Sequence, residues 1–142
     1  MKKSGRKAIV LDTWAIMAYL NFEPAAQEVR QALRRAMRGE ILVLFSLLNY
    51  GECMYVVERK KGPEEVQQAA SVIDQLPVRV IPADRSLVFE AAHLKARYPI
   101  SYADAFAAAL AKQYRARVMT GDPEFKAVEP EVAIHWLRAR QR

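Results

Sequence analysis

Apolar residues fall in short unbroken runs along this chain, separated by longer stretches where they recur at helical spacing. Residues 7–11, Lys-Ala-Ile-Val-Leu, and 41–45, Ile-Leu-Val-Leu-Phe, are apolar almost throughout, as expected of strands covered on both faces in a parallel sheet. The first predicts a central strand closed by Asp12. Residues 78–81 and 117–120 predict two more short strands, and 132–136, Val-Ala-Ile-His-Trp, a last strand at the edge.

Helices are predicted between them. Asp12-Thr13 can cap a helix over 14–20, and 21–24 breaks the chain before an amphipathic helix over 25–38 that Gly39 ends. Ser46 opens a helix that runs to about 61, where Gly62-Pro63 stops it, and 64–75 forms the next, ended by Pro77. Asp84 reads as the N-cap of a helix over 85–96. An alanine-rich helix follows Ser101, and 123–131 reads as an irregular connection. Up to the fourth strand the order approximates βααβααβααβ, with the edge strand after it, which argues for a parallel sheet with helices on both faces and right-handed crossovers. No repeat, low-complexity tract or long linker divides the 142 residues, so one domain over 1–142 is expected.

Charge changes the picture at the ends only. The formal net charge is +6, but Lys2, Lys3, Arg6, Lys7, Arg138, Arg140 and Arg142 account for it, leaving 15 of the 22 basic residues against 16 acids. Residues 1–6 and 138–142 therefore read as basic tails suited to weak attraction to nucleic acid, or simply to solvation. Within the body, Arg30, Arg34, Arg35 and Arg38 share the exposed side of one helix, a candidate phosphate-contacting face. No apolar run reaches 18 residues and no cleavable leader is evident, which predicts a soluble cytoplasmic protein without a membrane partner. Cys53 is the one cysteine and reads as a small core residue; His93 and His135 stand far apart, which argues against zinc.

Four of the acids stand in unusual company. Asp12 and Asp122 end apolar strands, while Glu52 and Asp104 sit inside apolar helical segments. Taken singly, each has a plain reading as a cap or turn residue, although a carboxylate in the position of Glu52 needs a partner or a metal. If the first and fourth strands are neighbours where the sheet order reverses, Asp12 and Asp122 lie together at the crevice and the two helix acids lean over it. Like charges so placed repel and raise one another's pKa values unless a cation joins them. An all-carboxylate set fits Mg2+ or Mn2+, and with it phosphodiester chemistry. An aspartyl-nucleophile phosphatase would want an acid where Trp14 stands, and a receiver domain would want an acidic pair near the first strand and a lysine after a late strand; neither pattern is present.

Ile9-Val10-Leu11-Asp12-Thr13, Tyr50-Gly51-Glu52, Ser101-Tyr102-Ala103-Asp104-Ala105 and Thr120-Gly121-Asp122 resemble the four acidic motifs of the PIN-domain nucleases. Order, spacing and length are most similar to the VapC-type ribonuclease toxins of toxin and antitoxin pairs. The resemblance spans nearly the whole chain. It implies a three-layer α/β/α fold with a mostly parallel five-stranded sheet of order 3-2-1-4-5. It implies an Mg2+- or Mn2+-dependent endoribonuclease acting on RNA, a cognate antitoxin and a homodimer. The implied acidic site is Asp12, Glu52, Asp104 and Asp122. Asp12, Asp104 and Asp122 are its metal ligands, Glu52 aids the site, and Thr13 and Thr120 support it. Trp14 departs from the family pattern, where a small polar residue is common. The alternatives are a catalytically silent PIN-like module that binds RNA or protein, and a housekeeping PIN nuclease without an antitoxin.

Overall fold

The computed structural model describes residues 5–138; Lys2, Lys3, Arg140 and Arg142 of the expected basic tails lie outside them. Five strands, β1 (Lys7–Leu11), β2 (Ile41–Ser46), β3 (Arg79–Ile81), β4 (Arg117–Thr120) and β5 (Ile134–Trp136), make one sheet. Its order is β3-β2-β1-β4-β5 and every pairing is parallel. β1 is central, with Leu11 in register with Phe45 on one side and Met119 on the other.

The unbroken apolar runs have a simple cause. Successive side chains of a strand point to opposite faces, and each face of this sheet carries its own core. Val10, Leu44 and Val118 pack with Leu87, Leu94, Phe106 and Leu110 of α5 (Arg85–Arg97) and α6 (Tyr102–Tyr114). Leu11, Phe45 and Met119 pack on the other face, with Ile16 of α1 (Thr13–Leu20), Val29 and Leu33 of α2 (Ala26–Met37), Cys53 of α3 (Leu47–Lys61) and Ile73 of α4 (Pro63–Asp74). Fully burying one such large side chain contributes roughly 1.5–3 kcal/mol. A polar residue in the middle of β1 or β2 would therefore weaken one core whichever way it pointed.

Local chemistry starts the helices at the carboxyl edge of the sheet. Asp12 caps α1, Ser46 caps α3, Asp84 caps α5 and Ser101 caps α6, each accepting a backbone N–H through its side chain. In α6, Ala105, Ala107, Ala108, Ala109 and Ala111 are all buried. Alanine favours the helix, and its small side chain lets α6 lie close to both the sheet and α5.

Two expectations are corrected. Residues 123–131 are not irregular throughout: Pro123–Val128 forms a 3-10 helix, whose N-cap is Asp122. The last strand is shorter than 132–136, because the Val132 N–H closes a turn on the Val128 carbonyl at 2.9 Å before pairing begins. Glu131, just past that 3-10 helix, accepts from Arg97 at 2.7 Å, Lys112 at 2.5 Å and Tyr98 at 2.8 Å. This fastens the segment following Asp122 to α5 and α6. No helix among the described residues is long and apolar enough to cross a membrane.

Candidate active site

The carboxyl ends of β1 and β4 lie side by side, and that adjacency brings Asp12 and the Thr120-Gly121-Asp122 turn together across the sequence. Asp12 is buried, with Oδ1 accepting from the Ala15 N–H at 2.9 Å and Oδ2 accepting from the Thr120 hydroxyl at 2.5 Å. The same hydroxyl oxygen accepts the Asp122 N–H at 3.0 Å. Thr120 therefore joins one strand's terminal acid to the backbone that aims the next. Burial pushes the Asp12 carboxyl up to about 7, with the Asp122 charge adding to it, against the opposing pull of the Thr120 and Ala15 hydrogen bonds.

Asp104 comes in from α6. Its own N–H donates to Ser101 Oγ at 3.1 Å, which fixes the first turn of the helix over the crevice. The carboxyl is buried, and burial first, then a hydrogen bond toward Glu124, then the charges of Asp122, Asp12 and Glu124 push it up to about 8. Oxygens of Asp104, Asp122 and Glu124 all lie within 4.8 Å of one another. Asp122 Oδ1 also accepts the Glu124 N–H at 2.9 Å, so the 3-10 turn itself presents Glu124 to the cluster.

Glu52 occupies a different part of this end. It is half-buried on α3, and the Thr13 hydroxyl donates to its Oε1 at 2.6 Å, supplying the partner its apolar setting demanded. Asn49, fully buried one turn earlier, donates through Nδ2 to Thr13 Oγ1 at 3.2 Å and to the Ala103 carbonyl at 3.1 Å. Its Oδ1 has no partner. A chain of hydrogen bonds thus runs from the start of α6 through α3 to α1. Cys53, next to Glu52, is buried, and burial with the Glu52 and Asp12 charges drives its thiol up to about 12. That is the behaviour of a core thiol and not of a nucleophile.

Among the described residues the tight oxygen cluster is Asp104, Asp122 and Glu124. Asp12 adjoins it electrostatically while both its oxygens accept hydrogen bonds, and Glu52 is tied to Thr13. Trp14 lies against Gly121 so closely that a Cβ there would overlap its ring. The small-residue turn of Thr-Gly-Asp is therefore matched to the large residue at position 14. Other side chains singled out by sequence go elsewhere. His135 bonds Glu28 at 3.1 Å. Arg35 and Arg38 pair with Glu40 at 3.2 and 2.8 Å, next to the start of β2. They stand at the amino edge of the sheet, about 16 Å of strand away from the carboxylates.

A sequence model of the PIN domain matches residues 9–130. The chain belongs to the PIN-domain family. No curated protein sequence matches this PIN domain. Solved structures do. VapBC2 of Rickettsia felis, bound to a DNA fragment from its promoter, superposes with a TM-score of 0.74 at 18% identity, covering 92% of this chain and 99% of that one. DNA-bound VapBC of Salmonella typhimurium gives 0.70 at 19%, covering 91% and 97%. VapC20 of Mycobacterium tuberculosis, a sarcin-ricin loop cleaving toxin, gives 0.64 at 19%, covering 88% and 96%. At these identities the likeness is one of fold, and the sheet order of this PIN domain agrees with it.

Glu124 and Asn49 were the residues sequence reasoning passed over. Glu124 follows a proline in what reads as a turn, where an acid needs no account. Asn49 lies in an apolar helical segment three residues before Glu52, and that spacing, which places both on one helix face, was the available signal.

Proposed function

We propose that this PIN domain, taken as one unit over residues 1–142 with basic ends at 1–6 and 138–142, is a divalent-metal-dependent endoribonuclease. The observation that carries the reading is the convergence of Asp104, Asp122 and Glu124 oxygens within 4.8 Å beside buried Asp12. The donor set fits a hard cation: it is all carboxylate oxygen, and burial together with the acids' own repulsion holds Asp104 at about 8. Asp104, Asp122 and Glu124 would hold Mg2+ or Mn2+, with Asp12 adding its charge. When bound, such an ion lowers the pKa of water and offsets charge on a phosphoryl oxygen.

The chain's own part is positioning. Thr120 keeps Asp12 and the Asp122 backbone in one geometry, Ser101 fixes the turn that carries Asp104, and Thr13 with Asn49 orients Glu52 toward the same end of the sheet. Glu52 is suited to hold or move a proton, since one oxygen is free of Thr13. Cleavage of a mixed single-stranded RNA should proceed with millimolar magnesium or manganese and fall to background with chelator. Equal cleavage in both conditions would discard the metal-dependent reading, and no cleavage in either would favour a silent binding module.

The toxin role, with a cognate antitoxin and a homodimer in the cytoplasm, is proposed on the same family membership and on the toxin-antitoxin complexes among the similar structures. Its check is the mass in solution. The expected result is twice the 16.1 kDa chain mass alone and a larger complex with the product of the neighbouring gene. A strict monomer indifferent to that neighbour points to a housekeeping nuclease.

A further inference from the structure

Toward the edge of the sheet opposite the carboxylates, a cleft of about 400 Å³ opens between α2 and the strands β1 and β4. Lys7 at the start of β1, Arg35 on α2, and Arg115 and Arg117 around the start of β4 line it. An adjoining cleft, of about 470 Å³, shares Arg117 and continues to Arg138 beyond β5. The acid in both, Glu28, is already engaged by His135 at 3.1 Å. Arg35 has Glu40 as its partner, but Lys7, Arg115, Arg117 and Arg138 have no carboxylate within ion-pair distance among the described residues.

Arg115 stands out further. It ends α6 with φ of 53°, in the left-handed region. Glycine is the usual residue at such a helix end because a Cβ is disfavoured there. Here an arginine occupies the position and puts its charge in the cleft.

We infer that this cleft is a second nucleic-acid contact, which holds backbone phosphates of the RNA remote from the scissile one. The shape favours a polyanion over a small anion. Lys7, Arg115 and Arg117 stand around the starts of β1 and β4, and Arg138 follows β5 toward the other edge, so the unpaired cations are spread along two joined clefts; repeated phosphates match such a spread as a single phosphate does not. Arg35 and Arg38, set apart from the catalytic crevice by the fold, fall on this side of the molecule. The ligand class rests on the ribonuclease reading, but binding here does not depend on cleavage.

The test is fluorescence anisotropy of an end-labelled single-stranded RNA of about 20 nucleotides over a salt series, in chelator, with Asp104→Asn as the parent so that no RNA is cut. Arg115→Gly with Arg117→Gln is expected to weaken binding about tenfold and to reduce the slope of log K against log salt by about 1.4, two single-strand phosphates' worth. The glycine relieves the left-handed backbone and Arg117 is exposed, so the pair keeps the fold. Arg59→Gln with Lys60→Gln removes the same charge from the end of α3 and should leave affinity and slope unchanged. Equal losses in the two pairs, or no loss in the first, would overturn the assignment. So would displacement of the RNA by inorganic pyrophosphate at constant ionic strength without a change of slope, which marks a small-anion site. A parent that binds no RNA overturns it as well, whereas intact, cleft-dependent binding by a wild-type chain that does not cleave counts only against the nuclease reading.

Discussion

Asp104→Asn is expected to lower RNA cleavage roughly a thousandfold, a scale set by the loss of one charged group that stabilises a transition state, while making the metal-free protein more stable at alkaline pH. The two effects share a cause. Asp104 is buried with Asp122 and Glu124 oxygens within 4.8 Å, and the Asp12 charge adds to theirs. Its negative charge is what a bound cation would need, and without the cation it is a burden on the fold. Asparagine keeps the side chain's shape, and the N–H that Ser101 Oγ accepts is backbone, so α6 starts as before. Single-turnover cleavage with magnesium reads the first effect, and a melting curve at about pH 8.5 in chelator the second. A variant that cleaves at the wild-type rate would take Asp104 out of the site. One that melts lower at that pH would show that its charge is already compensated in the metal-free chain.

The metal-free wild-type protein should lose stability as pH rises from about 4 to about 8. Asp12 and Asp104 titrate at about 7 and about 8 in the folded chain, and near 3.9 when unfolded. Between those values the folded state binds more protons than the unfolded one. Their contribution is therefore fully present below about pH 4 and is lost as pH passes through the folded values. Raising one carboxyl's pKa tenfold in proton affinity corresponds to about 1.4 kcal/mol; the two acids feel one another, so the sum is a ceiling and a net change of roughly 2–4 kcal/mol is expected. That is about 6–12 °C in melting temperature for a domain of this size. Glu131, held well below the usual carboxylate range by Arg97, Lys112 and Tyr98, opposes this trend only in more acid solution. Magnesium should raise the melting temperature far more at about pH 8 than at about pH 5, where protons compete for the same oxygens. A melting temperature that is flat across this range in chelator would contradict the folded-state values, and no response to magnesium would count against the cation.

Strands β1, β2 and β4 were legible because each feeds two cores, and a strand so placed has no polar face to confuse the pattern. The sheet order was not legible from periodicity; it came with the acidic motifs, and the adjacency of β1 and β4 follows it. Glu124 was hidden by its surroundings: Asp-Pro-Glu-Phe reads as a turn, and only the 3-10 geometry swings the acid back toward Asp104. The arginines of α2 were correctly expected on an exposed face. Which edge of the sheet they border depends on the antiparallel run of α2 against the strands, and a helix's own pattern holds no record of that. Asn49 shows the opposite limit, since its importance lies in bonds to Thr13 and Ala103, 36 and 54 positions away.

The pairing of Leu11 with Met119 and the bond from Thr120 to Asp12 join positions 108 apart in the chain. Contacts of such separation form late, because the intervening loop must first be closed. A nascent chain that has emerged only as far as α5 already carries Asp12 and Glu52, yet it has no β4 to lie against β1, no hydroxyl on Asp12 and neither Asp104 nor Asp122. The proposed site is thus absent until α6 and β4 have been made, and its carboxylates converge only as those later elements fold against β1.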